Sequence, residues 1–404
     1  MRDPTVTTGA DFINLSWREF GIRAMAERVS ADGVAELQFY SNNNDGDSLI
    51  HIARVNLLST SALSTLCKKL EKRCQAPWDG ILTQLTDKVL TIARRGEPAE
   101  EIWPNENDTL EAEYLLEPLL YLNHPSVIFG DYGSLKSIMG LAIAYVVQLP
   151  LCDNNLGLIT LEQSTPCLYL DYEDDPSSFR KRWSALGKGF GEAKMPILYR
   201  RMTSPLADSV EQLSHIIESK KIKLLLVDSL GPAARGNLND PEPAIRYHSA
   251  LRQLGITSLT LAHTAKDPLS KKRTIFGSVF FTNLARSVWE CKAEQEVGED
   301  EAIISLKHAK ANLSRLHPPL GYRFTFNNNT ITIAKVDLRD TSLSGELPIP
   351  WQIKNLLREG PLTMREIADS LGREEDTIKS TLSRMAKKDL VKLPEHKWGL
   401  KYED

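Results

Sequence analysis

The stretch SVIFGDYGSLKSIMGLAIAYVV, residues 126–147, decides the fold. A short apolar run, SVIF, leads into the loop GDYGSLKS, and the loop leads into a segment with helical character. Strand, loop and helix in that order set backbone N–H groups at a helix N-terminus, where they meet anionic oxygens. Lys136 then reaches the outer phosphates of a nucleotide and the Ser137 hydroxyl ligates its metal ion. Gly130, Asp131, Tyr132, Gly133, Ser134, Leu135, Lys136 and Ser137 are therefore the candidate nucleotide loop. One position departs from the GxxxxGK[ST] spacing: Leu135 stands where the second glycine is expected, with Gly133 placed to absorb part of the backbone demand. Taken alone, the string also reads as a strand-to-helix turn that holds no ligand.

Outward from this loop, short β-rich runs alternate with amphipathic segments: CLYLDYE, ILYRR, KLLLVDS, SLTLAHT, SVWECK and AIISLKHAK. Such alternation predicts an α/β core around a mostly parallel sheet. LLLV and LTLA are almost wholly apolar, as expected of strands covered on both faces. YRFTFNNNTITIAKV predicts a closing hairpin with Asn-rich turn residues.

The polar residues fall at the ends of these strands. KLLLVDS ends in Asp228, placed to join Ser137 at a Mg²⁺ ion, with a turn-capping aspartate as the alternative. CLYLDYEDD brings Glu173 to a strand end as the candidate general base, with Asp171, Asp174 and Asp175 as neighbouring rivals. By period-two alternation Asp171 is expected on the same face as Glu173. SLTLAHT ends in His263, a candidate γ-phosphate sensor. Arg286 precedes the strand SVWECK, where a guanidinium suits an arginine finger or an ordinary surface ion pair. Lys307, Lys310 and Asn312 lie in or beside AIISLKHAK, as secondary interface candidates or as a solvated strand end.

With GDYGSLKS, YLDYE, LLLVDS, LAHTAK, the Gly-Ser of FGSVFF and LKHAKAN in this order, the block from about Ser126 to Ile333 resembles the RecA-like ATPases of the plasmid RepA-type hexameric helicases. The resemblance spans about half the chain. It implies ATP and Mg²⁺ as cofactors, a homo-oligomeric ring, and Lys136, Ser137, Glu173, Asp228, His263 and Arg286 in the roles above. It also implies single-stranded DNA as partner, through loops facing a central channel. One of those loops, AKDPLSKKRTIFGS, is basic, so Lys266, Lys271, Lys272 and Arg273 are candidate backbone contacts, with a merely solvated loop as the alternative. Phe276 stands where relatives often carry an arginine before Gly-Ser. The implied activity is that of an ATP-driven DNA helicase, replicative or of a mobile element, and the alternative is a DNA-binding loader or regulatory ATPase that does not unwind.

Composition bounds the rest. The 404 residues carry a net charge of -4, 42% hydrophobic and 25% charged residues, which fits a globular chain of more than one domain and argues against a strongly basic nucleic-acid coat protein, while leaving local basic loops free to bind phosphates. Five scattered cysteines (Cys67, Cys74, Cys152, Cys167, Cys291) without CxxC spacing predict neither a disulfide framework nor a zinc site. Without an apolar leader or spanning run, the expectation is a cytoplasmic protein that does not enter a membrane.

The expected organisation is an α+β accessory domain at 1–104, the ATPase domain at 105–338, a linker at 339–349 and a winged helix at 350–404. The first holds a hairpin over residues 35–57 and two helices, about Ser61–Cys74 and Trp78–Arg95. In the last, Thr363 and Glu366 have capping-box spacing. EEDTIKSTLSRMAKKD is its recognition helix, with Lys379, Arg384, Lys387 and Lys388 toward solvent and either duplex DNA or a protein as partner.

Overall fold

The computed structural model describes residues 1–8, 12–30, 32–43, 46–95, 101–103, 111–149, 154–161, 163–191, 194–265, 273–386 and 388–401. The chain divides into two compact units, Met1–Asp108 and Thr109–Asp404.

In the first unit five strands form an antiparallel sheet in sequential order: β1 Thr5–Thr8, β2 Phe12–Trp17, β3 Ile22–Glu27, β4 Val34–Asn43 and β5 Gly46–Asn56. The helices α1 Thr60–Glu71 and α2 Trp78–Arg95 follow. Alternate residues such as Leu15, Trp17, Leu37 and Phe39 bury themselves against Leu66, Leu70, Trp78 and Leu85 of those helices. The expected hairpin is β4–β5; the three strands before it lie in a stretch where no strand was expected.

The second unit is built on an α/β core. Along the chain come β6 Tyr114–Glu117, β7 Leu120–Tyr121, β8 Pro125–Gly130, α3 Lys136–Gln148, β9 Ile159–Thr160, β10 Cys167–Asp171 and α4 Pro176–Gly189. Next are β11 Leu198–Arg201, α5 Val210–Lys220, β12 Leu224–Asp228, α6 Leu230–Ala234, α7 Pro241–Leu254, β13 Thr257–His263 and α8 Val279–Leu284. The strands β14 Ser287–Glu294, β15 Glu301–Ala311, β16 Leu320–Asn327 and β17 Thr330–Val336 complete the sheet. Its order is β11-β10-β12-β13-β8-β14-β15-β16-β17. The pairings from β11 to β14 are parallel. Those from β14 to β17 are antiparallel.

Strand period two explains the double cover. Ile128, Tyr169, Leu226 and Leu261 pack with α3 and α4 on one face, whereas Val127, Leu170, Leu225 and Val227 pack with α5 and α7 on the other. Every residue of β12 is buried, which is why its sequence is a continuous apolar run. The parallel register places Gly130, Asp171, Asp228 and His263 together at the carboxyl edge of the sheet, where α/β folds gather their ligand sites.

The segment expected to be a linker is packed instead. Its two 3-10 turns, Leu338–Asp340 and Ser342–Glu346, bury Leu338, Leu343 and Leu347 against Ile303. Leu338 and Leu343 stand five residues apart, a spacing that fits neither period two nor 3.6, so a buried face is not legible in the residue pattern. Beyond it lie α9 Ile349–Glu359, β18 Leu362–Thr363, α10 Met364–Leu371, α11 Glu375–Met385, β19 Leu390–Lys392 and β20 Lys397–Leu400, the three strands pairing in the order β18-β20-β19. Thr363 and Glu366 form the expected capping box at the start of α10. On α11, Lys379 and Arg384 are exposed, as is Lys388 just beyond it, while Lys387 lies outside the described residues.

Candidate nucleotide site

Between β8 and α3 the loop is held by the neighbouring strand. A side chain at Gly130 would place its Cβ 2.3 Å from the Cys291 carbonyl oxygen of β14, so only glycine fits there. Cys291 Sγ donates to the Ser134 carbonyl at 3.1 Å, and burial pushes its thiol up to about 12. Such a thiol is an inert brace rather than a nucleophile.

Gly133 does not relieve Leu135 of the unusual backbone. Both are left-handed, Gly133 at φ 76° and Leu135 at φ 59°. For leucine this costs about 1–2 kcal/mol. Leu135 is also the N-cap of α3 and contributes no capping hydrogen bond, so the first N–H groups of the helix have neither a side-chain cap nor a helical partner. A helix start left open in this way suits an anion.

Lys136 is buried at this helix start. Its Nζ donates to the carbonyls of Gly130 at 2.9 Å and Asp131 at 2.7 Å, and to Ser134 Oγ at 3.2 Å. Burial pulls the ammonium below its ordinary value, and among the opposing charges are the carboxylates of Asp228, Glu173 and Asp131. Those acids therefore face the lysine.

Asp228 ends β12 and is buried. Burial raises its carboxyl, while hydrogen bonds from Tyr169 and Ser137 hold it down. Tyr169 Oη donates to Asp228 Oδ2 at 2.5 Å across adjacent strands. The Ser137 hydroxyl and the Asp228 carboxylate thus form a pair of adjoining hard oxygen donors, which fits Mg²⁺ with nucleotide oxygens and water completing its shell.

The four acids after β10 have separate surroundings. Asp171 is buried and accepts from the N–H groups of Glu173 at 3.0 Å and Asp174 at 2.9 Å and from Tyr199 Oη at 3.2 Å. Asp174 pairs with Arg182, and Asp175 caps α4 through the N–H groups of Ser177 and Ser178. Asp171 therefore does not share a face with Glu173: the strand ends at Asp171, and the following turn swings Glu173 outward. Glu173 is the half-exposed member. It accepts from Ser229 Oγ and lies 3.8 Å from His263 Nε2.

The sequence-selected residues fall into two groups. Lys136, Ser137, Glu173, Asp228 and His263 converge at the carboxyl edge of the sheet. Arg286 does not, since its N–H donates to Pro125 O at the start of β8, a strand length of roughly 15–20 Å from the loop. Lys310 is near it but occupied, its Nζ donating to the carbonyls of Thr282, Asn283 and Ala285 at 3.0, 2.7 and 2.6 Å. Lys310 is therefore a cap for the end of α8 rather than a free interface cation; Lys307 and Asn312 are exposed.

Arg273 is displaced from its expected role. Instead of standing free for a nucleic-acid backbone, it pairs with Asp131 of the loop at 2.7 Å. Lys266, Lys271 and Lys272 lie outside the described residues. Sequence reading missed Tyr169, Ser229 and Cys291, whose partners come from other strands or loops and are fixed only by sheet register.

Residues 101–268 match the family model described as an AAA domain. No curated protein matches the chain. Among solved structures, a KaiC-like protein from the hyperthermophilic archaeon Pyrococcus horikoshii is similar at 16% identity, covering 54% of this chain and 93% of that chain with a TM-score of 0.36. The family match, with the strand order and loop geometry above, supports a RecA-like P-loop ATPase core.

Proposed function

We propose that the protein is an ATP-hydrolysing motor that assembles as a ring, hexameric by resemblance, and acts as a DNA helicase on single-stranded DNA. The observation that carries the reading is the convergence of Lys136, Ser137, Glu173, Asp228 and His263 at one sheet edge beside a helix start with no side-chain cap. In this reading the loop N–H groups and Lys136 hold the β- and γ-phosphates. Ser137 and Asp228 hold Mg²⁺, which neutralises charge on those phosphates. Glu173 orients the attacking water and takes its proton, and Ser229 fixes the carboxylate that does so. His263, in contact range of Glu173, links the state of the γ-phosphate to the loop that follows β13.

The position of Arg286 supports a shared site. It lies too far from its own loop to touch the same nucleotide, so a finger role requires a second copy of the chain. DNA binding rests on the basic composition of residues 266–273, minus Arg273. The helix and strand order of residues 349–400 supports a winged helix that docks duplex DNA or a protein. Residues 1–104 serve recruitment or assembly in this scheme.

An ATPase assay with and without single-stranded DNA, run beside strand displacement on a tailed duplex, tests the proposal. Stimulation by DNA, displacement, and loss of turnover by about 100-fold or more in Glu173→Gln are expected. DNA-stimulated turnover without displacement would identify a loader, and turnover indifferent to DNA would remove nucleic acid from the function.

A further inference from the structure

Asp131 is an anomaly in a loop otherwise suited to anions, because a carboxylate there repels a triphosphate. A counter-charge comes from the segment after β13. Arg273 Nη1 donates to Asp131 Oδ2 at 2.7 Å, and its Nε lies 3.8 Å from the buried carboxylate of Glu290 on β14. Glu290 in turn is 4.0 Å from Lys292 Nζ, which pairs with Glu346. The arginine is carried on a braced base: Ala265 N–H donates to Thr274 O at 2.9 Å, and Phe276 N–H to His263 O at 2.8 Å. The side chains of Arg273 and Asp131 remain 41% and 53% exposed, so the pair adds little to the stability of the fold. Its consequence is electrostatic and local, since it cancels the one negative charge within the loop Gly130–Ser137.

We propose that Arg273 is a positioning residue for nucleotide binding, neutralising Asp131 so that the loop accepts a polyphosphate. The inference rests on the phosphate-loop reading and extends it: Arg273 acts through Asp131 and touches no reacting atom.

Binding of a fluorescent, nonhydrolysable ATP analogue with Mg²⁺ to the full chain tests this, with melting curves confirming that each variant folds. Arg273→Gln is expected to weaken binding about tenfold at low salt, with the gap to wild type closing as salt rises. Asp131→Asn is expected to bind more tightly than wild type, and the double variant Asp131→Asn/Arg273→Gln to recover most of the loss. Rescue by deleting the opposite charge separates neutralisation from a structural role. Wild-type affinity in Arg273→Gln, or a double variant as weak as the single one, would overturn the inference while leaving the loop reading intact. No binding by the wild type would overturn both.

Discussion

The helices that follow β8 and β10 leave the same edge of the parallel part of one sheet, yet their first turns differ. α4 closes on itself: Asp175 accepts from two N–H groups of its first turn, and Pro176 at the first position lacks the donor that would otherwise be left over. α3 does the reverse. Its cap is a left-handed leucine that contributes no side-chain hydrogen bond, although ten of its thirteen residues are buried. Other helices, α5, α7, α9 and α11 among them, also lack a side-chain cap, so what sets α3 apart is the buried Lys136 in its first turn beside that open end, the feature on which the proposed anionic partner rests. In the proposed reading the self-capped α4 is structural and the start of α3 holds the nucleotide.

The contrast sharpens most at Tyr169, which belongs to the strand leading to α4 but serves the site at α3. Removing its hydroxyl takes away a hydrogen bond that holds the Asp228 carboxyl down against burial. In Tyr169→Phe that carboxyl rises further. Because Mg²⁺ needs the deprotonated form, the acid limb of the ATPase pH profile is expected to move to higher pH, with Mg²⁺ affinity weakened along that limb. The folding linkage runs in the same direction: an acid whose folded value is raised favours the native state when protonated, so its contribution is lost as pH rises through that value. The ligand-free variant should therefore lose more stability than wild type on going from acid to neutral pH. An unmoved pH profile would separate Tyr169 from the metal site.

Smaller effects are expected at the two caps. Asp175→Ala should lower the melting temperature by about 2–4 °C and leave nucleotide affinity alone. Leu135→Gly should be close to neutral for stability, because release of left-handed strain, about 1 kcal/mol, opposes the loss of a half-buried leucine worth about as much. Thermal melts with and without nucleotide read both variants. A large affinity change in Asp175→Ala would erase the distinction between the two helices.

Much of this contrast is legible in the residues. KLLLVDS and SLTLAHT announce buried parallel strands, and their terminal Asp228 and His263 mark the carboxyl edge before any geometry is known. Glu173 could be ranked above its neighbours, but only the turn after Asp171 shows why: that carboxylate is spent on the N–H groups of Glu173 and Asp174. Tyr169 was hidden inside an apolar run, since its partner lies on a strand 59 residues away and is set by the β10–β12 register. Arg273 read as one charge in a basic run because composition does not encode its pairing with Asp131, 142 residues distant. The first three strands of the N-terminal sheet went unseen although the burial of the second and third alternates and Gly21 and Asp32-Gly33 punctuate the stretch: FINLSW and IRAMAE mix small and polar residues among the apolar ones, so their period-two pattern is faint.

The central claim is that the start of α3 is completed by a magnesium nucleotide. Calorimetric titration of ATP into the wild-type chain and into Lys136→Ala, each with and without Mg²⁺, tests it most directly. The account predicts saturable binding by the wild type, weaker without Mg²⁺, and a loss of affinity of about 100-fold or more when Lys136 is removed. Equal binding by both proteins, or no binding by either, would contradict it.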